Sequence, residues 1–138
     1  MEKERLKEYA KQIKIDIIGV ASIDRFNGIS AQNHPGSIFP EAKSIIVIGK
    51  RITRGSLRGI EEGTQFGLYN MYGYHWLNNR ILALATFKMC EFLEDHGYEA
   101  VPIPGISSEI QTMGIPVKKG APAPNVMVDI QDTAIRAG

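Results

Sequence analysis

Residues 69–96 form a stretch of 28 residues in which apolar side chains leave few polar positions around a helical circumference. Ile81, Leu82, Ala83, Leu84, Ala85, Phe87, Met89, Cys90, Phe92 and Leu93 fall on most sides of the helix that this spacing predicts. A helix apolar on most sides needs neighbours on most sides, which asks for a layered fold. Asp95-His96-Gly97 ends it, because Gly97 suits the left-handed position after the last turn and Tyr98 can fold back onto that turn.

Residues 2–14 place Leu6, Tyr9, Ala10 and Ile13 on one face, with Glu2 and Glu4 early and Lys11 and Lys14 late. That is an amphipathic helix whose end charges oppose its macrodipole. A β-branched run over residues 15–21 follows after almost no loop and predicts a strand. Residues 27–42, with Gly28, Pro35, Gly36 and Pro40, read as a loop. Ile45-Ile46-Val47-Ile48 lacks alternation and predicts a central strand covered on both faces. Residues 99–103 predict a short strand, pushed to an edge by Pro102 and Pro104.

The expected fold is α+β. A mixed sheet of residues 15–21, 45–48 and 101–103 is covered by the 2–14 and 69–96 helices. Between them, Gly55, Gly59, Gly63 and Gly67 recur every four residues beside Arg51, Arg54 and Arg58. Glycines inside a helix each cost about 1 kcal/mol against alanine, so this segment is expected to be a flexible or ligand-approaching loop. Ser108 and Gln111 have capping-box spacing for a short helix ending at Gly114. Val126, Ile130, Ala134 and Ala137 favour a closing helix, although residues 126–128 could equally finish a strand.

Composition narrows the functional classes. At about 150 residues per domain, 138 residues suggest one domain. Sixteen Lys and Arg against fifteen Asp and Glu give +1, so no strong field advertises nucleic acid or an anionic membrane. Apolar runs fall short of the roughly 20 residues of a membrane span, and the charged start is unlike a signal peptide; the cytoplasm is the expected location. No dinucleotide fingerprint or Walker-type loop occurs. Cys90 alone cannot form an internal disulfide or ligate a cluster, and its apolar neighbours predict a core thiol with a raised pKa. His34, His75 and His96 sit on separate segments and read as structural, as do Ser107 and Ser108.

Three features retain chemical interest. Arg51, Arg54 and Arg58 could grip a phosphate or carboxylate, or simply be solvated. Phe66, Tyr69, Tyr72, Tyr74 and Trp76, interleaved with Gly67 and Gly73, could wall a flat-cofactor pocket or pack as core at the head of the helix. Asp129 and Asp132 could donate protons, while Asp132 could instead cap a helix beginning at Thr133.

The strand at 15–21, Pro40-Glu41-Ala42-Lys43-Ser44-Ile45-Ile46-Val47-Ile48-Gly49, the Tyr-rich helix head, His96-Gly97-Tyr98-Glu99-Ala100 and Thr133-Ala134-Ile135-Arg136-Ala137-Gly138 occur in that order. This order, spanning nearly the whole chain, resembles the amino-terminal half of the corrinoid and iron–sulfur reductases. That group includes epoxyqueuosine reductases and reductive dehalogenases. The resemblance implies a nitroreductase-like domain cradling a corrinoid (cobalamin), followed by a ferredoxin-like part with two 4Fe-4S clusters that pass electrons to cobalt. The metal does the hard chemistry, and the protein supplies orientation, water exclusion and protons.

The chain departs from that plan. It stops at Ala137-Gly138, where the family continues through further glycines, and it lacks the cluster cysteines. The expectation is therefore a truncated portion of an oxidoreductase, incomplete without its carboxyl-terminal half. By the same resemblance, Arg136 and Gly138 belong to a turn beside the corrinoid, and Tyr72, Gly73 and Tyr74 to the aromatic helix head. Asp129 corresponds, with altered spacing, to a proposed acid. The alternatives are a non-catalytic scaffold of the same fold and a flavin protein in which the Arg51–Arg54 region holds the flavin phosphate. An open sheet and an over-apolar helix want cover, from a homodimer partner or from the absent half.

Overall fold

All four α-helices of the described residues are followed by a residue in the left-handed conformation. In the computed structural model, which describes residues 2–103, 105, 119 and 126–138, the helices are α1 (Lys3–Gln12), α2 (Arg54–Glu61), α3 (Ala83–Glu94) and α4 (Ile130–Ala137). The residues that stop them are Lys14, Gly63, Gly97 and Gly138, with φ of 63°, 67°, 81° and 86°. Behind each of the first three, two backbone bonds close the last turn. Ile15 N–H donates to Ala10 O at 2.8 Å and Lys14 N–H to Lys11 O at 3.0 Å. Thr64 and Gly63 donate in the same way to Gly59 and Ile60, and Tyr98 and Gly97 to Leu93 and Glu94. Carbonyls that a helix end would leave orphaned are thereby satisfied.

β1 (Ile17–Ser22) and β2 (Ser44–Gly49) form a two-stranded sheet. The bonds from Asp16 N–H to Gly49 O (3.1 Å) and from Ile23 N–H to Lys43 O (3.0 Å) set an antiparallel register. The α+β class holds, but the three-stranded mixed sheet does not appear among the described residues. Residues 101–103 are not in a strand, consistent with Pro102 having no N–H for a ladder. Among the described residues β2 pairs with β1 alone, so the expected central position is not seen, and Ile45 to Ile48 are only half-buried.

The chain divides into two compact units. The first comprises Met1–Ile18 and Ile48–Gly105. Its α1 buries Leu6 and Ala10, stacks Tyr9 on Phe92 with ring centroids 4.1 Å apart, and places Arg5 Nη2 2.8 Å from His96 Nε2. The expected long helix is present, but it is wound as π-helix over Tyr69–His75 and Leu77–Leu82 before becoming α3. Its buried positions, Gly73, Leu77, Ala85 and Met89, make one stripe. Tyr72, Trp76, Leu84 and Phe87 stand exposed, so this unit covers one side of the helix rather than most of it.

The segment expected to be a loop contains α2. Two ion pairs, Arg54 with Glu61 and Arg58 with Glu62, run along it, and Thr53 Oγ1 meets Ser56 Oγ at 2.7 Å. Its two glycines serve different ends. A Cβ on Gly59 would sit 2.1 Å from the Gln65 carbonyl oxygen, so the chain folds back over Gly59 as only glycine permits; Gly55 faces open space.

The second unit comprises Gly19–Val47 and Ile106–Gly138. Phe26 is its largest fully buried side chain. A Cβ on Gly19 would lie 3.0 Å from Ala137 Cβ, so the end of α4 packs closely on β1. Residues 107, 108, 111 and 114, and with them the expected capping box, lie outside the described residues.

Replacing Lys14 by Gly relieves a side chain held at positive φ and is expected to raise stability by about 1 kcal/mol in urea denaturation. Gly55→Ala should stabilise by up to about 1 kcal/mol, whereas Gly59→Ala should destabilise by more than that, in the same assay.

Candidate functional site

The second unit contains a small cleft built around the start of α4. Asp129, not Asp132, caps that helix: its Oδ1 accepts from Asp132 N–H at 3.0 Å, and its carbonyl accepts from the Thr133 hydroxyl at 2.6 Å. Asp132 instead sits in the first turn and pairs with Arg136 Nε at 2.6 Å. Asn33 ties the preceding segment to the loop, donating from Nδ2 to Met127 O at 2.8 Å, while Met127 N–H donates to Gln32 O at 2.7 Å. Residues 126–128 thus join the loop and not a strand. Phe26, Ile29, Asn33, Asp129, Asp132 and Thr133 line a cleft of about 270 Å³. That lies just below the usual range for ligand pockets, about 300–1,000 Å³, and suits a ligand of few atoms.

Arg136 is engaged through Nε, Nη1 and the face of its guanidinium. Its guanidinium lies 5.5 Å from the Phe26 ring centroid, and it exchanges bonds with Arg25: Arg25 Nη1 donates to Arg136 O at 2.6 Å, and Arg136 Nη1 donates to Arg25 O. The side chain holds the helix end against the 23–26 turn. Gly138 follows at positive φ with open space around its Cα.

The remaining candidates belong to the first unit. Arg54 is paired with Glu61 on α2, so an anion there would have to displace a carboxylate. Arg51 serves through its backbone, donating its N–H to Asp16 Oδ2 at 2.8 Å. That bond, with Lys50 at 3.4 Å, holds the Asp16 carboxyl below the ordinary aspartate range. Gly73 is no open cradle: a Cβ there would meet the Tyr69 ring at 2.6 Å and Ile52 at 3.2 Å. Tyr72 and Tyr74 stand exposed, and Tyr72 packs edge-on against Trp76, whose ring carries Arg80 at 4.8 Å. The sequence-selected residues therefore form two groups, one in each unit: Arg51, Arg54, Tyr72, Gly73 and Tyr74 in the first, and Asp129, Arg136 and Gly138 in the second.

Two of the histidines are structural, as expected. His34 Nδ1 accepts from Gly36 N–H at 2.9 Å, and His96 Nδ1 lies 2.6 Å from Phe92 O. Cys90 is half-buried, and burial together with nearby Glu94 pushes its thiol up. Among the described residues, no group of three or more His, Cys, Asp or Glu is placed to hold a metal ion, and no helix is long and apolar enough to cross a membrane. Sequence reasoning missed Asn33 and Arg25, whose partners lie 94 and 111 residues away and leave no local pattern. Comparison with protein-family models, with curated proteins and with solved structures returned no match.

Asp129→Ala should lower stability by about 1 kcal/mol in urea denaturation through loss of the cap, while Asp129→Asn, which caps equally well, should leave it nearly unchanged. Cys90 should react with iodoacetamide at pH 7.5 more slowly than a free cysteine peptide, and at the peptide's rate once the chain is unfolded in urea.

Proposed function

We propose that this chain is the amino-terminal, cofactor-facing portion of a reductase of the corrinoid and iron–sulfur kind, built on a nitroreductase-like scaffold. The observation that carries this reading is the order of its phrases, from the 15–21 strand to the closing Arg136-Ala137-Gly138 turn. That turn ends α4 against Gly19 of β1 and is clasped by Arg25, an arrangement suited to holding a backbone corner beside a cofactor. With one cysteine in the chain, any 4Fe-4S cluster must be ligated by residues other than these.

The described residues do not enclose a corrinoid, and this chain alone would meet one only along an open face. The Asp129 cleft, at about 270 Å³, is too small for a corrin macrocycle, and Tyr72 and Tyr74 offer exposed rings rather than an enclosed wall. What its residues supply on this reading are two separate features: exposed aromatic faces at the helix head in the first unit, and in the second the corner at Arg136 to Gly138.

Two measurements test the proposal. Sequencing the gene past the Gly138 codon should reveal cysteines of ferredoxin spacing; a stop codon there, or a continuation without such cysteines, overturns it. The purified chain, titrated with hydroxocobalamin and separately with flavin mononucleotide and followed by visible absorption, should favour cobalamin. Tyr72→Ala should weaken that binding about 2- to 10-fold, the worth of one aromatic contact, and Arg54→Ala should leave it unchanged. Stoichiometric flavin uptake would move the assignment to a flavin protein, and indifference of the folded chain to both cofactors would favour a scaffold.

A further inference from the structure

We draw no further inference here: the strongest candidate, the exposed stripe of Leu68, Tyr72, Trp76 and Leu84 along the long helix of the first unit, is an unpartnered apolar face, and nothing in the structure shows what covers it.

Discussion

A left-handed residue after each described α-helix is the constraint on which the rest of this structure depends. Lys14, Gly63 and Gly97 each turn the backbone sharply where a helix ends, and Gly138 takes the same left-handed φ. The first sends the chain from α1 to Asp16, which then opens the ladder to Gly49. The second lets residues 64–65 fold back over Gly59, and the third brings Tyr98 onto the end of α3. Three of the four positions are glycine, where positive φ carries little steric cost; the fourth is lysine and retains that cost.

The second organising element is apolar surface without enough cover. In the first unit the long helix buries one stripe and leaves large rings and aliphatic chains in solvent. In the second unit the polar groups around α4 are used economically: Asp129 caps, Asp132 pairs, and Arg136 spans both Asp132 and the Arg25 carbonyl. Arg136 and Arg25 together tie the end of α4 to the 23–26 turn.

What the sequence made legible was local. The Leu6/Ala10 face of α1 and the Gly97 stop with Tyr98 behind it follow from near neighbours, and the structure has both, whereas Cys90, expected in the core, is only half-buried. Propensity misled at α2, which forms despite its glycines, and Gly59 is required by a close approach no spacing rule reveals. It misled again at Asp132, three residues past the actual cap. Asn33 and Arg25 were invisible because their meaning depends on chain segments far away in sequence.

The π-wound run from Tyr69 to Leu82 has a mechanical consequence for the helix after it. An i→i+5 ladder stores more residues per turn than the 3.6 of an α-helix, and each residue in an α-helix advances the side-chain direction by about 100°. The winding upstream therefore sets the phase of Ala85 and Met89, like a thread cut to a different pitch ahead of a fixed nut. Inserting or deleting a single residue in that run would turn Ala85 and Met89 by about 100° around the axis unless the winding changed with it.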